Sequence, residues 1–205
     1  MASKAIENEL RRRIVAAVEQ GFDERDEIIM GQTEAAEDEY DVDGLEELVT
    51  RLTDEALAAH HRRQARWKGE TDCERLDAAF EELERRGIVA RQNFTCCSTC
   101  GHYEIGDEIK TAKKQKKRAA PVSGYAFYHM QDTESAVEGG GIYIKYDTLK
   151  GDDAKKTAVG QQIVEVLQAA GLKTEWSGNP NEAVVVRMKW RKRRDASELD
   201  EVSAG

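Results

Sequence analysis

The sequence predicts an α+β domain, with a mostly antiparallel sheet and helices on one face, preceded by an acidic helical region. Three observations predict it. Beyond residue 70, short runs rich in β-branched and aromatic residues alternate with helical stretches in the order β-α-β-α-β-α-β-β. The last two strands close on a turn short enough for a hairpin, and the connections are short throughout, which favours antiparallel neighbours. Before residue 70 the apolar residues recur only at helical spacing. A doubly wound sheet is the alternative, and the weak helix between the second and third strands counts against it.

Residues 4–20 place Ile6, Leu10, Ile14 and Val18 on one helical stripe, with Gly21 as a stop. From Glu19 to Glu55 acids outnumber bases, most densely at Asp23–Glu27 and Glu37–Glu39. A solvated helical surface explains these runs better than a docking face or a divalent-cation site, because the Asp/Asn-Gly pattern of a calcium loop is missing. Residues 43–63 form a further helix on Leu45, Leu48, Val49, Leu52, Ala56 and Ala59. His60 and His61 fall near its end and are expected to be solvated.

Thr71-Asp72-Cys73-Glu74 has capping-box spacing, and the helix it opens carries Leu76, Ala79, Phe80 and Leu83 inward before Gly87. Ile88–Phe94 reads as a strand running into a cysteine cluster, and Tyr103–Arg118 as a helix that turns basic. Gly124–Met130 is a second strand and Asp132–Val137 a short helix. Gly139–Gly141 makes a tight turn rather than a phosphate loop, since it leads into the third strand, Ile142–Tyr146. Residues 157–170 form an amphipathic helix closed by Gly171. Lys173–Trp176 and Ala183–Trp190 read as the terminal hairpin, with Val184, Val186, Met188 and Trp190 on one face.

The 205 residues suffice for two small units, and 40% hydrophobic content gives enough apolar surface for a core without disulfides. The formal net charge of −9 argues against general attraction to nucleic acid or anionic membrane. No signal-peptide h-region and no membrane-length apolar run is present, so a cytoplasmic protein with reduced thiols is expected. The basic run Lys110–Arg118 and Arg187–Arg194 leave nucleic-acid binding as a weaker alternative. Without interleaved aromatics, a solvated face, or an intramolecular, homo-oligomeric or other protein partner such as the acidic N-terminal region, suits them better.

Chemistry concentrates in Asn93-Phe94-Thr95-Cys96-Cys97-Ser98-Thr99-Cys100-Gly101-His102, which holds three of the four cysteines. Cys97 and Cys100 have knuckle spacing, and with Cys96 and His102 they offer four zinc ligands within seven residues. Cys73 or His129 are candidates for an extra ligand. A strand followed by Cys-x-x-Cys at a helix start is also the arrangement that activates a redox thiol, with Thr95 available as a cap. Simple packing of small thiols at a strand-to-helix junction is the third reading. A second constellation, His129, Asp132 and Glu134, sits where a strand ends and could serve an enzyme, although Asp132 as a helix cap explains it equally well.

Asn93-Phe94-x-Cys96-Cys97-x-x-Cys100, Gln131-Asp132-Thr133-Glu134, the Gly139–Gly141 run and the late Trp176 and Trp190 resemble an uncharacterised bacterial family, common in actinobacteria. The resemblance covers about residues 70–194, leaves the acidic N-terminal region outside, and implies no activity or cofactor. The expected organisation is a helical region over 1–69, an α+β domain over 70–194 and a disordered tail over 195–205. The expected function is that of a non-enzymatic module with a structural cysteine cluster supported by zinc. An enzyme using the thiols, or His129 with Asp132 and Glu134, is the alternative.

Overall fold

The structure is a computed structural model that describes residues 3–115 and 119–195. The expected disordered tail lies outside these residues except for Asp195, as do Lys116, Lys117 and Arg118 of the basic run. The described residues divide into two compact units, one of residues 3–69 together with 191–195, the other spanning Glu70–Trp190. Residues 191–194, placed with the α+β domain by the sequence pattern, thus belong to the helical unit.

The helical unit holds α1 (Lys4–Gln20), α2 (Arg25–Glu39) and α3 (Leu45–Gln64). Its core holds Leu10, Ile14, Val18, Val49 and Leu52 from the stripes that the helical spacing selects, joined by Leu57 of α3 and by Ile28 of α2, a helix the spacing did not single out. Each fully buried aliphatic side chain contributes roughly 1.5–3 kcal/mol. Ser3 caps α1 through the Ile6 amide, and Gly21 ends it at φ 75°. The acidic face is laced with arginine: Arg25 meets Asp54, Arg13 meets Glu39, and Arg11 and Arg51 share Glu7 and Glu55.

His60 and His61 correct the expectation of solvated rings, being only 2% and 7% exposed. The cause is the segment after Trp190, which lies along the end of α3. His60 Nε2 is 3.1 Å from the Lys192 carbonyl, and Gln64 hydrogen-bonds both the N–H and the carbonyl of Arg194. The buried Arg194 guanidinium donates to the carbonyls of Val18 and Asp23.

The second unit contains α4 (Asp72–Arg85), β1 (Ile88–Arg91), α5 (Ser98–Lys114), β2 (Gly124–Phe127), α6 (Met130–Val137), β3 (Gly141–Thr148), α7 (Asp153–Ala169), β4 (Lys173–Glu175) and β5 (Val184–Arg187). The sheet order is β1-β2-β3-β5-β4, and only the β1–β2 pairing is parallel. The fold class is therefore α+β with a mostly antiparallel sheet and a helical N-terminal region. The Thr71–Glu74 capping box opens α4 as its spacing requires. Gly87 turns the chain into β1 at φ 87°, and a Cβ there would stand 2.2 Å from the Pro121 carbonyl oxygen, so only glycine fits.

Alternation along β2 separates the two faces of the sheet. Gly124 lies against Val159 of α7, whereas Phe127 lies against Gly101 of α5. Thus α7 packs on one face and α5, through Ile105 and Ala112 beside Val89 of β1, covers the other, which corrects the expectation of helices on one face only.

Several element ends differ from the sequence expectation, for local reasons. β1 stops at Arg91 rather than Phe94 because Asn93 and Thr95 adopt left-handed φ values of 49° and 60°. α5 begins at Ser98, five residues before the expected Tyr103. β2 stops at Phe127 because His129 already serves as the N-cap of α6. Asp132 is accordingly not the cap of α6: it sits three residues in, and its carboxylate accepts the His129 amide. α7 starts at Asp153 behind the cap Asp152, and β3 runs two residues past Tyr146.

Candidate metal centre

The left-handed residues Asn93 and Thr95 turn the chain sharply between β1 and α5. A β-branched residue such as Thr95 at positive φ costs on the order of 1–3 kcal/mol, so the surroundings must hold it there. They do so by extending the strand contact with the chain leaving β2. Phe94 N–H donates to the Tyr128 carbonyl at 2.8 Å, and Met130 N–H to the Thr95 carbonyl at 3.1 Å. The Asn93 side chain accepts the Thr133 hydroxyl at 2.8 Å. Thr95 was expected to cap the helix. Its hydroxyl instead donates to the Cys97 carbonyl, and Cys97 occupies the N-cap position.

This turn brings the Sγ atoms of Cys96, Cys97 and Cys100 within 4.8 Å of one another, with Cys96 and Cys100 3.6 Å apart. Cys96 is exposed, and Cys97 and Cys100 are half-buried. All four cysteines of the chain are free thiols. Cys97 is held below the ordinary thiol range, first by the Cys100 backbone N–H and then by the Cys100 thiol. Cys100 is pushed up to about 11 by its hydrogen bonds to Cys96 and then Cys97. Sharing of protons among clustered thiols produces this split, and a cation would relieve it by replacing the protons.

The donor set fits a soft metal ion. With zinc–sulfur bonds of about 2.3 Å, tetrahedral thiolates stand roughly 3.8 Å apart, near the observed Cys96–Cys100 separation. The three cysteines could hold a metal ion, and no carboxylate or imidazole joins them among the described residues.

The structure does not bring His102 to the three sulfurs. Its Nδ1 lies 3.0 Å from the Tyr125 hydroxyl, and its ring meets Tyr125 and Phe127 edge-on. Burial lowers its pKa and, acting first, pushes the Tyr125 phenol up to about 12. Neither extra candidate joins the sulfurs: Cys73 is buried on α4, and His129 caps α6.

At the end of β2, Asp132 is only 5% exposed and binds the Lys145 ammonium as well as the His129 amide, with His129 Nδ1 3.2 Å away. Burial lowers both the Lys145 and the His129 pKa, against the pull of Asp132. Glu134 is exposed and makes no hydrogen bond or ion pair to this group among the described residues. A half-buried lysine paired with a buried aspartate that also closes a helix cap has the form of a structural lock. Lys145 was missed because its partner lies on α6 rather than on the same strand, though its place between the apolar Ile144 and Tyr146 marks it as facing the opposite side.

Comparison with curated proteins and with solved structures yields no match. A protein-family model described as Domain of unknown function (DUF6891) matches residues 3–194. That span includes the acidic helical region that the sequence resemblance left outside. No helix among the described residues is long and apolar enough to cross a membrane.

Proposed function

The chain belongs to that family, and we propose that its α+β unit is a metal-binding module in which Cys96, Cys97 and Cys100 hold a zinc ion. The observation that carries this reading is the approach of three sulfurs within 4.8 Å on a turn of only five residues. Backbone N–H groups aimed at Cys97 from the first turn of α5 support a thiolate there, as does the positive end of the helix. Hydrogen bonds to residues 128, 130 and 133 hold the loop geometry.

The purely structural zinc suggested by the sequence needs a fourth protein ligand. With His102 turned to Tyr125, the reading becomes a three-thiolate site whose fourth position takes an exogenous donor. Two positive charges against three thiolates leave a net −1, so a neutral donor such as water suits that position. The module binds and presents the ion, and a reducing compartment such as the cytoplasm keeps the thiols competent.

A second reading has a specific observation behind it. The lowered Cys97 and raised Cys100 are the asymmetric pair of a dithiol that cycles with a disulfide. However, the described residues contain no cis peptide bond, so the cis-proline of thioredoxin-type sites has no counterpart.

Cobalt titration of untagged, reduced protein separates the two. The metal reading expects one equivalent bound with thiolate charge-transfer absorption, reduced in steps by Cys96→Ser, Cys97→Ser and Cys100→Ser. Absence of that absorption, together with a disulfide that forms readily under mild oxidant, would replace it by the redox reading.

A further inference from the structure

Away from the thiols, at the opposite end of β2, a cavity of about 530 Å³ opens between the end of α5, the start of β2, the end of β3 and the start of α7. Its floor is apolar, formed by Val122, Leu149 and Val159, and its rim carries Lys113, Lys150 and Lys155. No carboxylate lines it. Several other cations of this unit are matched: Arg91 with Glu84 and Glu108, Lys110 with Asp107, Lys156 with Asp147, Arg187 with Glu175. The three rim lysines have no ion-pair partner among the described residues. In a chain of net charge −9, three uncompensated cations around one apolar hollow form a local inversion of the field.

The rim is also shaped. The stem of Lys155 lies over Gly151, where a Cβ would come within 2.6 Å of the lysine Cδ, so the absence of a side chain at 151 makes room for it. The Asp152 carboxylate is already engaged, capping α7 through the Lys155 amide. At the floor, Gly124 lets α7 close in, with Val159 occupying the space its Cβ would take. The hydroxyls of Ser123 and Thr148 donate to the backbone carbonyls of Gly87 and Ser123, which leaves the lysines as the cavity's strong donors. The volume falls within the roughly 300–1,000 Å³ of small-molecule sites.

We propose that this cavity binds a small organic anion carrying at least two negative charges on an apolar body, of which a phosphate monoester is the simplest class. The charged group sits among Lys113, Lys150 and Lys155, and the apolar body lies on Val122, Leu149 and Val159. This site is independent of the thiols and of any metal they hold.

Phenyl phosphate is the probe, titrated into the full chain and followed by amide chemical shifts, with inorganic phosphate and benzoate as comparisons. The expected result is saturable shifts at Ser123, Leu149 and Lys155, with phenyl phosphate the tightest of the three. The triple variant Lys113→Gln, Lys150→Gln, Lys155→Gln changes only exposed side chains, and it should weaken binding at least roughly tenfold while the remaining spectrum is unchanged. Equal affinity for phenyl phosphate and inorganic phosphate would overturn the apolar half of the proposal. Absence of localised shifts, or unchanged binding by the triple variant, would overturn it entirely.

Discussion

Gly101 of α5 lies flat against the ring of Phe127 on β2, so close that a Cβ would stand 2.3 Å from a ring carbon. Phe127 is wholly buried and cannot swing away. Gly101 directly follows Cys100, so this contact sets the height of the helix start above the sheet and with it the position of the third sulfur. Gly101→Ala gains up to about 1 kcal/mol of helix propensity but overpacks a closed core at a cost of about 1–3 kcal/mol. The expected outcome is a net loss of stability in urea melts and weaker cobalt binding, both partly recovered by adding Phe127→Leu. An unchanged metal affinity would separate the contact from the site.

Asp132 is the lock between α6 and β3. Asp132→Ala leaves the half-buried Lys145 ammonium unpaired and removes the acceptor of the His129 amide, so the cost lies toward the lower end of the buried-pair range. Breaking such a pair costs roughly 3–5 kcal/mol. Asp132→Asn keeps the amide acceptor and should cost less. Lys145→Met in the Asp132→Asn background should restore part of the loss, because neither partner is then a buried charge. Denaturation of the four proteins in parallel measures this coupling.

Acid should weaken the helical unit through His60. Burial drives its pKa from 6.5 to about 4, and its Nδ1 is buried without a partner. The unfolded chain therefore binds a proton that the folded chain refuses. The contribution is intact above pH 6.5, falls as pH drops through that window, and is exhausted near pH 4. The loss should be on the order of 2–3 kcal/mol. His60→Gln retains a donor for the Lys192 carbonyl and should flatten the dependence over this window, as read by urea midpoints at a series of pH values.

These cases also show what the residues disclose unaided. The cysteine cluster was legible because its members are close in sequence, and a tight turn necessarily brings them together. The capping box at Thr71 and the stripes of α1 and α3 were legible for the same reason, being local patterns. His102 was not. Once α5 starts at Ser98, residues 100 and 102 stand about 200° apart around the helix, and the ring is carried away from the sulfurs to Tyr125. The burial of His60 depends on Lys192 and Arg194, some 130 positions later, and the pairing of Lys145 with Asp132 depends on strand register. The first leaves no mark on local periodicity, and the second only the alternation that sets Lys145 apart from Ile144 and Tyr146.

The most direct test is X-ray absorption at the zinc edge of the full chain loaded with one equivalent of zinc. Three sulfur scatterers at about 2.3 Å and one oxygen or nitrogen at about 2.0–2.2 Å are expected. The Cys97→Ser variant should lose one sulfur. A shell of four sulfurs, or one dominated by oxygen and nitrogen, would contradict a three-thiolate centre built from Cys96, Cys97 and Cys100.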